Sequence, residues 1–158
     1  MPLTADDGLL AGPTADRVRR GMSNKPLILL IDGNHQDREY YTDLLRASPS
    51  HFVVLHATTG QAGLALCERR SVDCVVLELD LSDMSSFQVL FMLIPRAQHP
   101  QIAVVILTRY ANPFLLDAAL EKGAQTALYK GDASADILNR AILNAISTVQ
   151  SNRQPLAV

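Results

Sequence analysis

Apolar residues in this chain come in short continuous runs, separated by segments whose apolar positions repeat at helical spacing. That alternation limits the fold more than any other feature. The runs are Leu27–Ile31, Phe52–Leu55, Cys74–Leu79, Ala103–Leu107 and Thr126–Tyr129. Each has the length of a strand, and a continuous apolar run is what a strand buried on both faces looks like. His35–Arg46 carries Tyr40, Tyr41, Leu44 and Leu45 at helical spacing and ends near Ser48-Pro49. Gly60–Arg69 has Ala62, Ala65 and Leu66 on one side, with Arg69-Arg70 at the carboxyl end where cations suit the helix dipole. Ser85–Ile94 directs Phe87, Leu90, Phe91 and Ile94 inward and stops at Pro95. A fourth helix opens at Asn112-Pro113, where Asn caps and Pro is tolerated at the first helical position, and it closes at Gly123. Asp132 or Ser134 caps a last helix through Val149, in which Ile137, Leu138, Ala141, Ile142, Ala145, Ile146 and Val149 follow the helical period. Leu143 widens that stripe, as an oligomer or partner surface would. Five strands alternating with five helices, joined by right-handed crossovers, give a parallel sheet covered on both faces.

The 158 residues suffice for one domain with a real core, and 48% of them are hydrophobic, which excludes a wholly disordered chain. The formal charge is −2 and there is no basic block, so direct nucleic-acid binding has no support. Cys67 and Cys74 stand in or beside apolar segments and read as small buried thiols, without the spacing of a zinc or redox centre. No segment resembles a signal-peptide core or a membrane span, so a cytoplasmic protein without membrane contact is expected. Residues 1–25 mix Pro, Gly, Asp and three arginines and read as a mobile arm, with a possible helical turn over Asp16–Arg20 and with Arg17, Arg19 and Arg20 solvated. Residues 26–150 form the domain, and residues 151–158 read as a frayed tail or the start of a linker.

In an open α/β fold, sites form beyond the carboxyl ends of parallel strands. Four runs end in chemistry: Leu27–Ile31 in Asp32, Val75–Leu77 in Glu78, Ala103–Leu107 in Thr108 and Thr126–Tyr129 in Lys130. A parallel arrangement brings all four to one rim. Any one of them alone is an ordinary polar cap; four at corresponding places are a site. A lysine facing two carboxylates forms an ion pair, and Thr108 donates to an anionic oxygen within reach.

With these features the stretch from about Lys25 to Gln150 resembles the receiver (phosphoacceptor) domain of two-component response regulators. The marks are Ile28–Asp32 before the first helix, Val72–Met84 around the third strand, Val104–Thr108, and Gly123-Ala124 followed by Lys130. The resemblance implies a flavodoxin-like (CheY-like), doubly wound (βα)5 three-layer sandwich with a five-stranded parallel sheet of order 2-1-3-4-5. It implies a phosphorelay role in signal transduction, a histidine kinase or other signalling protein as partner, and a homodimer through the fourth helix, fifth strand and fifth helix.

The departures decide the finer expectation. The family's phosphoacceptor aspartate corresponds to Glu78. Its second acidic residue after the first strand, a direct Mg²⁺ ligand, corresponds to Gly33. Its loop proline corresponds to Ser82, its loop glycine to Ser86, its aromatic switch to Ala127, and the proline after the lysine to Gly131. Thr108 and Lys130 are kept. Tyr110 lies near the switch position without replacing it. An added methylene misplaces the nucleophile by roughly 1 Å, which can cost about a hundredfold in rate. Mg²⁺ needs oxygen ligands in near-octahedral order, so no metal is expected beyond weak binding by Asp32 and Glu78. Asp80 is a substitute phosphoacceptor only if it reaches the lysine–threonine focus. The expectation is an atypical receiver that acts by protein–protein interaction without the usual aspartyl-phosphate cycle. The alternatives are a conventional phosphorelay receiver or a dimerisation module of a longer signalling protein. An independent enzyme is not expected, for there is no nucleophile elbow, glycine-rich phosphate loop or metal-ligand cluster. His35 reads as a solvent-facing residue of the first helical turn, and His51, His56 and His99 suggest nothing specific.

Overall fold

The computed structural model describes residues 25–153. Five parallel strands form one sheet in the order β2-β1-β3-β4-β5: β1 Leu27–Ile31, β2 Val53–Ala57, β3 Cys74–Leu77, β4 Ala103–Thr108 and β5 Thr126–Tyr129. The helices between and after them are α1 His35–Arg46, α2 Gly60–Arg69, α3 Ser86–Leu93, α4 Pro113–Glu121 and α5 Ala135–Arg153. The fold is the flavodoxin-like doubly wound (βα)5 sandwich. Its strands alternate sides residue by residue, so each supplies two cores. Ile28, Leu30, Val54, Val76, Val105 and Leu107 pack with Tyr41 and Leu45 of α1 and Leu138 and Ile142 of α5. Leu27, Leu29, Ile31, Val75, Leu77, Val104 and Ile106 face α2, α3 and α4 on the other side.

Helix ends are sealed by local side chains. Asn34, Thr59, Ser85 and Asn112 each accept a backbone N–H in the first turn of the helix that follows, satisfying donors that would otherwise have no partner. Ser85 and Gln88 make a reciprocal capping box on α3. Gly123 closes α4 with φ +108°, a conformation that L side chains avoid. Of the two candidate caps for the last helix, Ser134 accepts the Ile137 N–H at 3.2 Å, whereas Asp132 belongs to a short 3₁₀ turn over Lys130–Asp132.

Several expectations are corrected. The second strand is Val53–Ala57, not Phe52–Leu55; Phe52 is buried just before it. The third strand stops at Leu77, two residues short of Leu79, and leaves Glu78 as the first residue beyond the ladder. On α2, Ala62 and Ala65 face solvent; Leu66 packs against the core as expected, with Leu64, while Gly63 turns to Ile31 of the sheet and Gly60 to Met84 and Val89. A Cβ on Gly63 would collide with the Ile31 side chain, so a missing side chain sets how closely this helix lies. On α3, Phe91 is exposed and Val89 takes its inward place. Ile137 is also exposed on α5, and that helix continues to Arg153, past Val149 and into the expected tail. The reading of Asp16–Arg20 as a turn lies outside the described residues, as does the end of the tail. No helix among the described residues is long and apolar enough to cross a membrane.

Packing on α5 yields the first prediction. Ile142 is fully buried and its neighbour Leu143 is half exposed. Ile142→Ala should lower the unfolding free energy by about 2–5 kcal/mol, and Leu143→Ala by about 0.5 kcal/mol or less. Urea denaturation of the two variants measures the difference.

Candidate functional site

The sheet register builds the site. The Asp32 N–H donates to the Ala57 carbonyl (3.1 Å) and the Glu78 N–H to the Ile31 carbonyl (3.0 Å), so the ends of β1 and β3 lie side by side with both carboxylates at the same rim. Thr108 is the last residue of β4, and Lys130 follows β5 directly. The structure brings together all four residues singled out at the strand ends. Asp32, Glu78 and Thr108 are buried, and the Lys130 side chain is only 9% exposed.

Glu78 is enclosed by donors. Its Oε1 accepts the Thr108 hydroxyl at 2.5 Å and the Asp80 N–H at 3.0 Å. Its Oε2 accepts the Arg109 N–H at 3.1 Å and lies 2.8 Å from Lys130 Nζ. Two backbone amides, a hydroxyl and an ammonium thus surround one carboxylate. A buried charge needs that degree of pairing to be tolerated. Ser86 secures the chain behind it, its hydroxyl donating to the Glu78 and Leu79 carbonyls at 2.9 and 2.7 Å.

Lys130 Nζ carries three N–H donors and meets three carboxylate acceptors: Asp32 Oδ2 at 2.7 Å, Asp37 Oδ2 at 2.8 Å and Glu78 Oε2 at 2.8 Å. It also sits 5.7 Å from the centre of the Tyr41 ring. Burial acts against the ammonium. The hydrogen bonds to Asp32, Asp37 and Glu78 together outweigh it and hold the group above the ordinary lysine range. For Asp32 the balance is reversed: burial raises its carboxyl above the usual range, and the bonds from Lys130 and the Asn34 N–H pull it back only in part. The two directions agree physically, because one cation serves three acids.

A cleft of about 250 Å³ opens above this cluster, lined by Gly33, Asn34, Asp80, Ser82 and Arg109 besides the buried acids. Gly33 brings no oxygen donor to it from a side chain, and Ser82 lines it as an exposed residue. Asp80 points its carboxylate at Arg109, 2.6 Å away, across the mouth and away from the lysine–threonine focus. Ala127 packs half-buried against the α2–α4 core. His35 is exposed and pairs with Glu39 on its own helix at 3.4 Å.

This donor set does not fit Mg²⁺. Both Glu78 oxygens are occupied, and Asp32 and Glu78 turn an oxygen each toward the same ammonium, where a bridging cation would need them free. Among the described residues no group of three or more His, Cys, Asp or Glu side chains is arranged to hold a metal ion.

Two participants escape a reading of strand ends. Asp37 lies in the first turn of α1, and its only sequence signal is the Asn34-x-x-Asp37 pattern of a helix start, with the Asp37 N–H donating to Asn34 Oδ1 at 2.9 Å. Arg109 follows Thr108 in a loop, and its backbone amide and side chain serve different acids.

Lys130→Met should cost about 3–5 kcal/mol at pH 7, since two buried carboxylates lose their counter-ion. The folded chain binds the Lys130 proton more tightly than the unfolded chain. The ion cluster's stabilisation is therefore complete below the unfolded lysine value, about 10.4, and is lost as pH rises above it toward the folded value. Tyr41 and both thiols are raised by burial and add to the alkaline loss in the same direction. The gap between the urea midpoints of wild type and Lys130→Met should stay constant from pH 8 to about 10 and begin to narrow only above the unfolded lysine value, which isolates the lysine contribution.

The family model described as "Response regulator receiver domain" matches residues 28–142. The nitrate/nitrite response regulator protein NarL of Escherichia coli is 29% identical over 119 residues, covering 74% of this chain and 54% of NarL. The photosynthetic apparatus regulatory protein RegA of Rhodobacter capsulatus is 31% identical over 118 residues, 74% of this chain and 61% of RegA. The chain thus spans only about half to three fifths of these relatives. A crystal structure of a response regulator receiver domain protein from Clostridium thermocellum superposes with a TM-score of 0.69 at 27% identity, over 80% of this chain and 98% of that one. The chain belongs to the response regulator receiver domain family.

Proposed function

We propose that this domain is an atypical receiver of two-component signal transduction, one whose anion-binding nest is filled by its own glutamate, so that it works through protein contacts and without an aspartyl-phosphate cycle. The carrying observation is the Glu78 carboxylate held by Thr108, Lys130 and the amides of Asp80 and Arg109. A transferring phosphoryl group would need those same donors for its oxygens, and a nucleophile that engages them all presents no free lone pair in line. The poor fit of the pocket to Mg²⁺ supports the same reading. The partner is then a histidine kinase or another signalling protein that reads surface shape. Exposed Phe114 and Leu120 on α4, with Ile137 and Leu143 on α5, support contact through the α4–β5–α5 side, including a homodimer.

The second reading is a conventional phosphorelay receiver, and the relatives favour it, being response regulators by name. In it a carboxylate oxygen of Glu78 or Asp80 attacks the phosphorus of a donor, and the phosphorus–nitrogen bond of a phosphohistidine breaks. Asp80, 41% exposed in its side chain, is the more accessible of the two.

Incubation with Mg²⁺ and acetyl phosphate, followed by intact mass measurement, separates the readings. No adduct is expected. A stoichiometric, acid-labile gain of one phosphoryl group at Glu78 or Asp80 favours the phosphorelay receiver. Position 33 accepts a side chain, because a Cβ there meets only the Thr58 carbonyl at 3.4 Å. The double substitution Gly33→Asp with Glu78→Asp restores both missing functions and should acquire the adduct.

The nest can also be probed empty. Glu78→Ala leaves its four donors without their acceptor, so orthophosphate should raise the melting temperature of that variant while leaving wild type unchanged.

A further inference from the structure

We propose that Asp37 is a positioning residue that ties the first turn of α1 to the pocket, so that the Glu78 carboxylate sets the place of α1 through Lys130. The proposal extends the reading of Glu78 as the pocket's own ligand. Lys130 Nζ is the one atom that joins three elements: it bonds Glu78 after β3, Asp32 after β1 and Asp37 in α1. The connection on the α1 side is stiff. Asn34 donates its N–H to Asp32 Oδ1 at 2.9 Å and accepts the Asp37 N–H on its side chain, so the turn from Asp32 into the helix is a closed set of hydrogen bonds. Arg38, the next residue, donates to the Asp32 carbonyl at 3.0 Å. Tyr41, one turn further on, lies within reach of the ammonium and packs edge-on against Tyr40, whose ring is largely exposed.

The path is physical because the ammonium has no spare donor. With three N–H groups and three acceptors, any change at Glu78 redistributes the bonds to Asp32 and Asp37. On the β5 side Ala127 offers only a methyl group, whereas Thr108 and Arg109 after β4 bond Glu78 directly, the Thr108 hydroxyl oxygen also accepting the Tyr110 N–H at 3.2 Å. A change of charge at residue 78 is therefore felt at its direct partners Asp80, Thr108 and Arg109 and, through Lys130, on the Asn34–Tyr41 segment.

Nuclear magnetic resonance of the full chain tests this. Glu78→Gln should shift the amides of Asp37, Arg38 and Tyr41 as well as those of its direct partners Asp80 and Arg109. In an Asp37→Ala background the α1 shifts should vanish, while the Asp80 and Arg109 shifts remain. The Lys130 ammonium protons, resolved by their nitrogen correlation, should exchange with water about tenfold faster or more in Asp37→Ala, as expected for loss of a charged hydrogen bond. Asp37→Glu should restore slow exchange, a rescue that a merely helix-stabilising aspartate would not give. The proposal is overturned if the α1 shifts persist without Asp37, or if the ammonium exchange does not change. An acetyl-phosphate adduct at Glu78 would overturn the functional reading and leave this coupling intact; loss of the coupling without an adduct does the reverse.

Discussion

One ammonium between buried carboxylates is the constraint on which the arrangement depends. Parallel strands end together, and their last residues leave amides and carbonyls at a common rim. Placing Asp32 and Glu78 there, both nearly inaccessible, creates a concentration of negative charge that water cannot relieve. Lys130 relieves it from the end of β5, and only because β5 lies beyond β4 at the sheet edge, leaving the lysine stem to reach back across the rim. The strand order thus places the cation within reach of both acids.

Much of this was legible in the chain itself. Continuous apolar runs marked the central strands β1, β3 and β4, which are buried on both faces; at the edge, β2 mixes buried and exposed residues, and its bounds were misplaced by a residue or two. The residues that stopped those runs marked the site. What escaped notice did so for identifiable reasons. Phe91 was assigned to the core because aromatic residues at helical spacing usually are, yet Val89 is the inward residue and Phe91 is left outside. On α2 Leu66 is inward as its spacing suggests, but Ala62 and Ala65 are not, because the closest approach to the sheet is made at Gly63, which adds nothing to an apolar stripe. Asp37 was missed because its partner is 93 positions away and the contact depends on the angle at which α1 leaves the rim.

Glu78 also illustrates how one methylene changes the economy of a pocket. An aspartate at the end of β3 would stop short of Thr108 and Lys130, leaving their donors for an incoming anion; the longer side chain delivers its own anion to them. On the proposed reading the chain exchanges responsiveness for permanence. A two-state element is switched by the arrival of a ligand that binds one of its forms more tightly, and a covalently attached ligand is always present.

Gly63 has a further consequence. The helix beside β1 approaches so closely that Ile31 occupies the space a methyl group would need. Ile31 immediately precedes Asp32, so the bulk of this side chain and the placement of the acid share a backbone. Among descendants of this chain, residues 31 and 63 are thereby expected to covary in size as one conserved volume, and drift on a helix that supplies none of the acids is checked by the chemistry one residue away.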